Sequence, residues 1–325
     1  MQHAQIGSTC QYHRANTRKI GYGSIGEDFQ AAITNRGDYT GNDTVAARRV
    51  YMQYTAFLEN PSNYARFRER LHIILRLTHN HIVKYHKVAV CPTLVGANFE
   101  FLMDYYPGGS LKTRIETMKN SKTLLDPSRA VQYSIHLADG LSFLHQNNLT
   151  HGDLKPENVL IECAGDGRPE KLLISDVDGL VTLLRDAISS LSLWHGRSSA
   201  RYQSPEILGA FTIAAREDVW SAIPGAKTDV WSLGSIMLDL LRCITGDHQE
   251  VLRNPVTGKV MGQERRLGSM EFQAAVVVHG CIPVVNAPPP VPPQLAECVR
   301  CCLQVHVNER LSAEELLRKL DYCAL

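Results

Sequence analysis

Apolar and polar positions divide the chain into a strand-rich first hundred residues and a helical remainder. Residues 20–26 read as a Gly-punctuated turn between apolar positions, and residues 29–33 (FQAAI) read as the strand that follows. Residues 34–44 (TNRGDYTGNDT) form a polar loop leading to another strand at 45–50. Phe67, Leu71, Ile74 and Leu77 recur at helical spacing within residues 63–77. Residues 100–106 return to strand character, and Pro107-Gly108-Gly109 breaks it. Beyond that break the chain turns helical. Asp126-Pro127 places an N-cap residue before a proline at the first helical position. Val131, Ile135, Ala138, Leu141 and Leu144 continue one face of that helix. Trp231, Leu233, Ile236, Met237, Leu240 and Leu241 form an apolar stripe wide enough for a buried helix. Ser312-Ala313-Glu314-Glu315 is a capping box ahead of Leu316, Leu317 and Leu320. The pattern predicts a small strand-rich unit, a hinge near residues 104–109, and a larger helical unit.

Composition narrows the classes. At 325 residues the chain has room for about two globular units. Thirty-four Lys and Arg against 33 Asp and Glu leave a net charge of +1, so neither a basic nucleic-acid arm nor an acidic tail dominates. No stretch reaches the roughly 18 uninterrupted apolar residues of a membrane span. Residues 1–20 lack the basic-then-apolar pattern of a secretory leader. The expectation is a soluble cytoplasmic protein with no membrane insertion and no nucleic-acid partner. Nine scattered cysteines, an odd number, read as reduced thiols. Cys298-Val299-Arg300-Cys301-Cys302, with His306 nearby, has metal-like spacing. No second pair completes a four-ligand set, and a cysteine-rich core helix is the better reading. Residues 287–293 (APPPVPP) read as a rigid connector in preference to a polyproline ligand.

Two motifs carry chemistry. In Gly21-Tyr22-Gly23-Ser24-Ile25-Gly26 the glycines let backbone close over phosphates without Cβ clashes. A dinucleotide site would need a helix to follow, whereas the strand at 29–33 fits a strand–loop–strand phosphate cover. In residues 151–160 (HGDLKPENVL) a carboxylate at Asp153, a cation at Lys155 and an amide at Asn158 share one tight loop. Phosphoryl transfer needs those roles: a group that orients the attacking hydroxyl, a charge on the moving phosphoryl group, and a metal ligand.

With these residues in order, the chain resembles the eukaryotic protein kinase family from about residue 20 to 320. Val45-Ala46-Ala47-Arg48 stands where the family has Val-Ala-x-Lys. Residues 77–83 (LTHNHIV) look like the turn after the first helix. Residues 101–111 (FLMDYYPGGSL) look like the hinge, with Met103 as gatekeeper. Asp176 matches the metal-binding aspartate, Ser204-Pro205-Glu206 the Ala-Pro-Glu element, and residues 229–234 (DVWSLG) the central helix. Arg310 matches the late arginine that pairs with Glu206. The resemblance implies an α+β, bilobal protein kinase-like fold. The N-lobe would span about residues 20–104 and the C-lobe about 105–320, after a short extension at 1–19 and before a tail at 321–325. It also implies ATP, Mg²⁺ and a protein substrate. Asp153, Lys155 and Asn158 would be catalytic, and Asn158 and Asp176 would hold the metal. Gly21, Gly23, Gly26, Ala46, Arg48, Met103, Asp104, Tyr105 and Leu160 would bind the nucleotide. Lys155 is the serine/threonine version of the loop, and the Gly-Gly-Ser-Leu hinge is similar to kinases of the mitogen-activated cascade.

Five departures bear on activity. Asp28 stands where the family places Val over the adenine, and a lone carboxylate against an apolar base is costly. Arg48 replaces the phosphate-binding Lys, and the exchange is not conservative at a tight site. Arg70 stands where the first helix supplies that Lys with a Glu partner, so the usual clamp is expected to be absent. Gly152 replaces the Arg that meets a phosphorylated activation loop. Asp176-Val177-Asp178-Gly179 replaces Asp-Phe-Gly, and Asp178 is an alternative to Asp176 as metal ligand. These departures leave a second expectation open: a pseudokinase that scaffolds or allosterically drives a partner kinase. An insert is expected around residues 211–222, and Ser189, Ser190, Ser192, Ser198 and Ser199 make the activation segment serine-rich.

Overall fold

Strand alternation decides which N-terminal residues face inward. The computed structural model describes residues 4–7, 11–12, 17–22, 27–40, 43–53, 61–92, 96–163, 169–177, 200–213, 225–262 and 268–323. Its first part is an antiparallel sheet of β1 (Ala4–Gly7), β2 (Gln11–Tyr12), β3 (Arg18–Tyr22), β4 (Glu27–Asn35), β5 (Thr44–Gln53), β6 (Tyr85–Pro92) and β7 (Gly96–Asp104). The spatial order is β1-β6-β7-β5-β4-β2, with β3 also pairing with β4. Residues before 20, expected as an extension, therefore contribute β1 and β2 to the sheet. Register pairs Ala46 with Met103, Arg48 with Phe101 and Val50 with Phe99 on the inner face. The aliphatic and aromatic members of that set enter the main core. The alternate residues Ala31, Val45, Ala47 and Leu102 pack with Tyr39 on the other face. Helix α1 (Pro61–Arg76) buries Leu71 and Ile74, and Leu77 follows them into the same core.

The C-terminal part is built on helices. These are α2 (Leu111–Ser121), α3 (Pro127–Gln146), α4 (Pro205–Ile213), α5 (Gly225–Thr245), α6 (Ser269–Val277), α7 (Pro293–Cys302) and α8 (Ala313–Asp321). A two-stranded ladder, β8 (Val159–Glu162) with β9 (Lys171–Ile174), lies under the hinge. Three short strands, β10 (Leu252–Arg253), β11 (Val260–Met261) and β12 (Ile282–Pro283), pair farther along. Helix α5 buries nearly every residue from Thr228 to Ile244 and packs against α2, α3, α7 and α8. It carries the second Asp-Val-Trp-Ser copy; the first, at 218–221, lies outside the described residues. Asp126 caps α3 through the Ser128 and Arg129 amides, and Ser312 and Glu315 form the capping box of α8. Cys298 and Cys302 are buried on α7, and burial pushes the Cys298 thiol up to about 12. Among the described residues no group of three His, Cys, Asp or Glu could hold a metal. Residues 284–292 connect β12 to α7 without regular structure.

Two close approaches join the halves. Ile174 N–H donates to the His81 carbonyl at 2.9 Å, and Val83 N–H donates to the Ile174 carbonyl at 2.9 Å. A Cβ on Gly140 of α3 would come within 2.7 Å of the His81 carbonyl, so only glycine lets that turn lie on the helix. Farther down, the Arg310 guanidinium has no exposed surface and grips Glu206 with two contacts of 2.8 and 2.9 Å. It also donates to three backbone carbonyls and lies over the Trp231 ring. Burial works to raise the Glu206 carboxyl, but Arg310 outweighs it and holds the group below the usual carboxylate range.

Glu170 ties α2 and α3 to the start of β9. It accepts from Arg114 at 2.9 and 3.0 Å, from Arg129 at 3.0 Å and from the Tyr133 hydroxyl at 2.6 Å. The Arg114 guanidinium chiefly brings its carboxyl down to about 2. A depressed carboxyl stabilises the fold above its unfolded value, and that contribution is lost as pH falls toward the folded value. The side chain is 21% exposed, so screening reduces the effect to about 1 kcal/mol. Urea unfolding at about pH 6 and about pH 2.5 tests this window. The stability gap between wild type and Glu170→Gln should shrink by about that amount at the lower pH. A gap independent of pH would contradict the assignment.

Candidate active site

The 151–158 loop is held from below by one buried carboxylate. Asp229 of α5, 1% exposed, accepts the N–H groups of His151 and Gly152, each at 2.8 Å, and lies 3.0 Å from His145 Nε2. Gly152 has φ +78°, a left-handed conformation that glycine adopts without Cβ strain. His151 Nε2 donates to the Ser175 carbonyl at 2.8 Å, which leaves Nδ1 to accept the Asp153 N–H at 3.2 Å. Asp153 is buried, with Lys155 Nζ 2.6 Å from its Oδ2. Asn158 Nδ2 donates to the Asp153 carbonyl at 2.8 Å. In turn the Asn158 carbonyl accepts from Ser175 N–H and Oγ, at 2.9 and 3.0 Å. The loop and the start of the next segment are thereby laced together, and Asp176 is delivered beside them.

Asp176 sits at φ +61°, its N–H donating to the Tyr85 hydroxyl at 3.1 Å. Its carboxylate forms an ion pair with Nη1 of Arg48. Arg48, on β5, has two other nitrogens on Asp28: Nε at 2.7 Å from Oδ1 and Nη2 at 3.0 Å from Oδ2. This corrects the expectation of a lone carboxylate at 28. The β4–β5 register sets Asp28 directly opposite Arg48, so the two charges meet across the ladder. Glu69 of α1 is exposed; the side chain of Arg70 lies outside the described residues.

Around the hinge, Met103 and Ala46 are buried and Leu160 is half-buried on β8. The Asp104 carboxylate accepts from the Tyr39 hydroxyl at 2.9 Å and lies 3.0 Å from His86 Nε2. Burial works to raise this carboxyl, and His86 and Tyr39 outweigh it and bring it down. Its side chain is therefore engaged with Tyr39 and His86. Tyr105 is partly buried beside it. Gly21 lies on β3 opposite Asp28. Gly23 and Gly26, Asp178, and the serines from 189 to 199 lie outside the described residues.

A family model described as the protein kinase domain matches residues 14–320. The chain belongs to the protein kinase family. A CBL-interacting serine/threonine-protein kinase 20 from Arabidopsis thaliana is 26% identical to this kinase domain over 246 residues, 75% of this chain and 45% of that protein. Serine/threonine-protein kinase PkaB from Streptomyces coelicolor is 29% identical over 204 residues, 61% of this chain and 44% of that protein. Tyrosine-protein kinase JAK1 from Danio rerio is 29% identical over 208 residues, 63% of this chain and 16% of that protein. The chain thus spans less than half the length of each of these relatives.

One carboxylate oxygen at the end of the loop is left over by the protein's own contacts. Oδ2 of Asp176 is buried and has no hydrogen-bond partner among the described residues. Asp176 and the Asn158 side-chain oxygen are the groups here that could hold a cation such as Mg²⁺, which takes one or two protein ligands and completes its shell from water and phosphate oxygens. Sequence reasoning missed Tyr85, whose role depends on a hydroxyl reaching across the fold. It also read Asp229 only as part of a helix signature and did not see it as the support of the kinase loop. Asp229→Ala strands the buried His151 N–H and the part-buried Gly152 N–H, each costing about 1–3 kcal/mol. The expected result is a fall in unfolding free energy of about 3 kcal/mol or more, with faster hydrogen exchange at His151 and Gly152. Unchanged exchange at those amides would contradict the anchoring role.

Proposed function

We propose that this domain is an ATP-dependent serine/threonine protein kinase that moves the γ-phosphoryl group of MgATP to a Ser or Thr hydroxyl of a protein substrate. The observation that carries the reading is the buried Asp153–Lys155–Asn158 constellation, with Lys155 Nζ 2.6 Å from Asp153 and Asp176 adjoining it through Ser175. Asp153 orients the attacking hydroxyl and accepts its proton. Lys155 places positive charge on the transferring phosphoryl group, whose oxygens carry the charge of a loose transition state. Asn158 and Asp176 would hold Mg²⁺, which when bound would supply positive charge to the phosphates. Gly21, Gly23 and Gly26 cover the phosphates and Arg48 meets the α- and β-phosphates. Ala46, Met103 and Leu160 line the adenine pocket, and the backbone of Asp104 and Tyr105 takes the base edge. Lys155 supports serine/threonine acceptors, and Gly152 supports activity without an activation-loop phosphate. The reading includes a cytoplasmic location.

A second reading, a pseudokinase that binds and drives a partner kinase, is favoured by one observation: the Arg48 guanidinium is shared between Asp28 and Asp176. Phosphate transfer to a generic protein substrate separates the two. The wild type should transfer label, and Asp153→Asn should lose at least about 100-fold, the contribution of a positioned general base. Equal signal in both proteins, or none in either, would overturn the catalytic reading.

A further inference from the structure

The three nitrogens of Arg48 are divided between two carboxylates. Nε and Nη2 engage the two oxygens of Asp28, while Nη1 pairs with Asp176. A two-point contact fixes the plane of a guanidinium as well as its position. With that plane fixed by Asp28, the third nitrogen is aimed at Asp176. The pair is well shielded: the side chains are 8% and 20% exposed for Arg48 and Asp28. Shielding strengthens a charge contact and raises the cost of leaving one partner alone. A lysine has one nitrogen and no fork, so it could not satisfy this geometry. Asp28 and Arg48 are therefore matched to each other, and neither is an isolated departure.

We propose that Asp28 is the positioning residue for Arg48, so that the guanidinium meeting the nucleotide phosphates is oriented from within the sheet by the neighbouring strand β4. Through Arg48, the same carboxylate links β4 to the Asp176 side of the cleft. The β4–β5 register sets this pairing. The inference rests on the reading that the cleft binds MgATP.

A double-mutant cycle in nucleotide affinity tests it, using the full chain and MgATP with calorimetry. Asp28→Asn should weaken MgATP binding about tenfold, as expected for a strong charge-assisted pair. Arg48→Ala should weaken it at least as much, and the double variant should be no weaker than Arg48→Ala alone. Asp28→Glu should recover binding to within about threefold of wild type, which a merely structural site would not do. Arg48→Lys should weaken binding as well. Asp28→Ser takes the place of Asp28→Asn should the latter not fold. Losses that multiply in the double variant, or Asp28→Asn binding as tightly as wild type, would overturn the inference alone. Failure of the wild type to bind MgATP would overturn the catalytic reading and the inference together.

Discussion

The functional half of this molecule depends on a buried carboxylate, Asp229, satisfied by backbone. A charge with 1% exposure is tolerable only when its lone pairs are filled, and the amides of His151 and Gly152 fill them. That requirement fixes the start of the 151–158 loop on the central helix α5. From there each contact determines the next. His151 reaches the Ser175 carbonyl, Asn158 accepts from Ser175, and Asp176 follows with its amide on Tyr85. The loop geometry is thus inherited from the most deeply buried helix, which is why a polar and irregular segment can hold Asp153 and Lys155 at a fixed separation.

On the upper side of the cleft, charge pairs cross from strand to strand. Asp28, Arg48 and Asp176 form a continuous row from β4 through β5 to the end of the C-terminal ladder. Each carboxylate is offset by the same guanidinium. Behind the hinge, Tyr39 and His86 hold Asp104 in a comparable way. Tyr39, from the polar loop before β5, therefore supports the strand that leads into the hinge.

Much of this was legible in the chain because the residues concerned are sequence neighbours. Asp153, Lys155 and Asn158 fall within one turn, and the capping residues Asp126 and Ser312 sit beside the helices they start. The apolar stripe of α5 likewise declares itself by period. What was not legible depends on register or reach. Asp28 and Arg48 are far apart in sequence, and only the antiparallel pairing of β4 with β5 makes them partners. Read singly, each was a defect; read across the ladder, they form a pair. Tyr85 carried no signal because a hydroxyl on an apolar strand resembles a core aromatic. The strands β1 and β2 were missed because they are short and lack alternation.

The central claim is that this cleft, despite its exchanged charges, remains a MgATP site. Thermal unfolding of the full chain with and without MgATP tests it most directly, since a ligand that binds only the folded state raises the midpoint in proportion to the logarithm of its concentration. The account predicts a midpoint that climbs with nucleotide through the millimolar range and that loses most of the rise when Mg²⁺ is chelated. A midpoint unmoved by millimolar MgATP would contradict it.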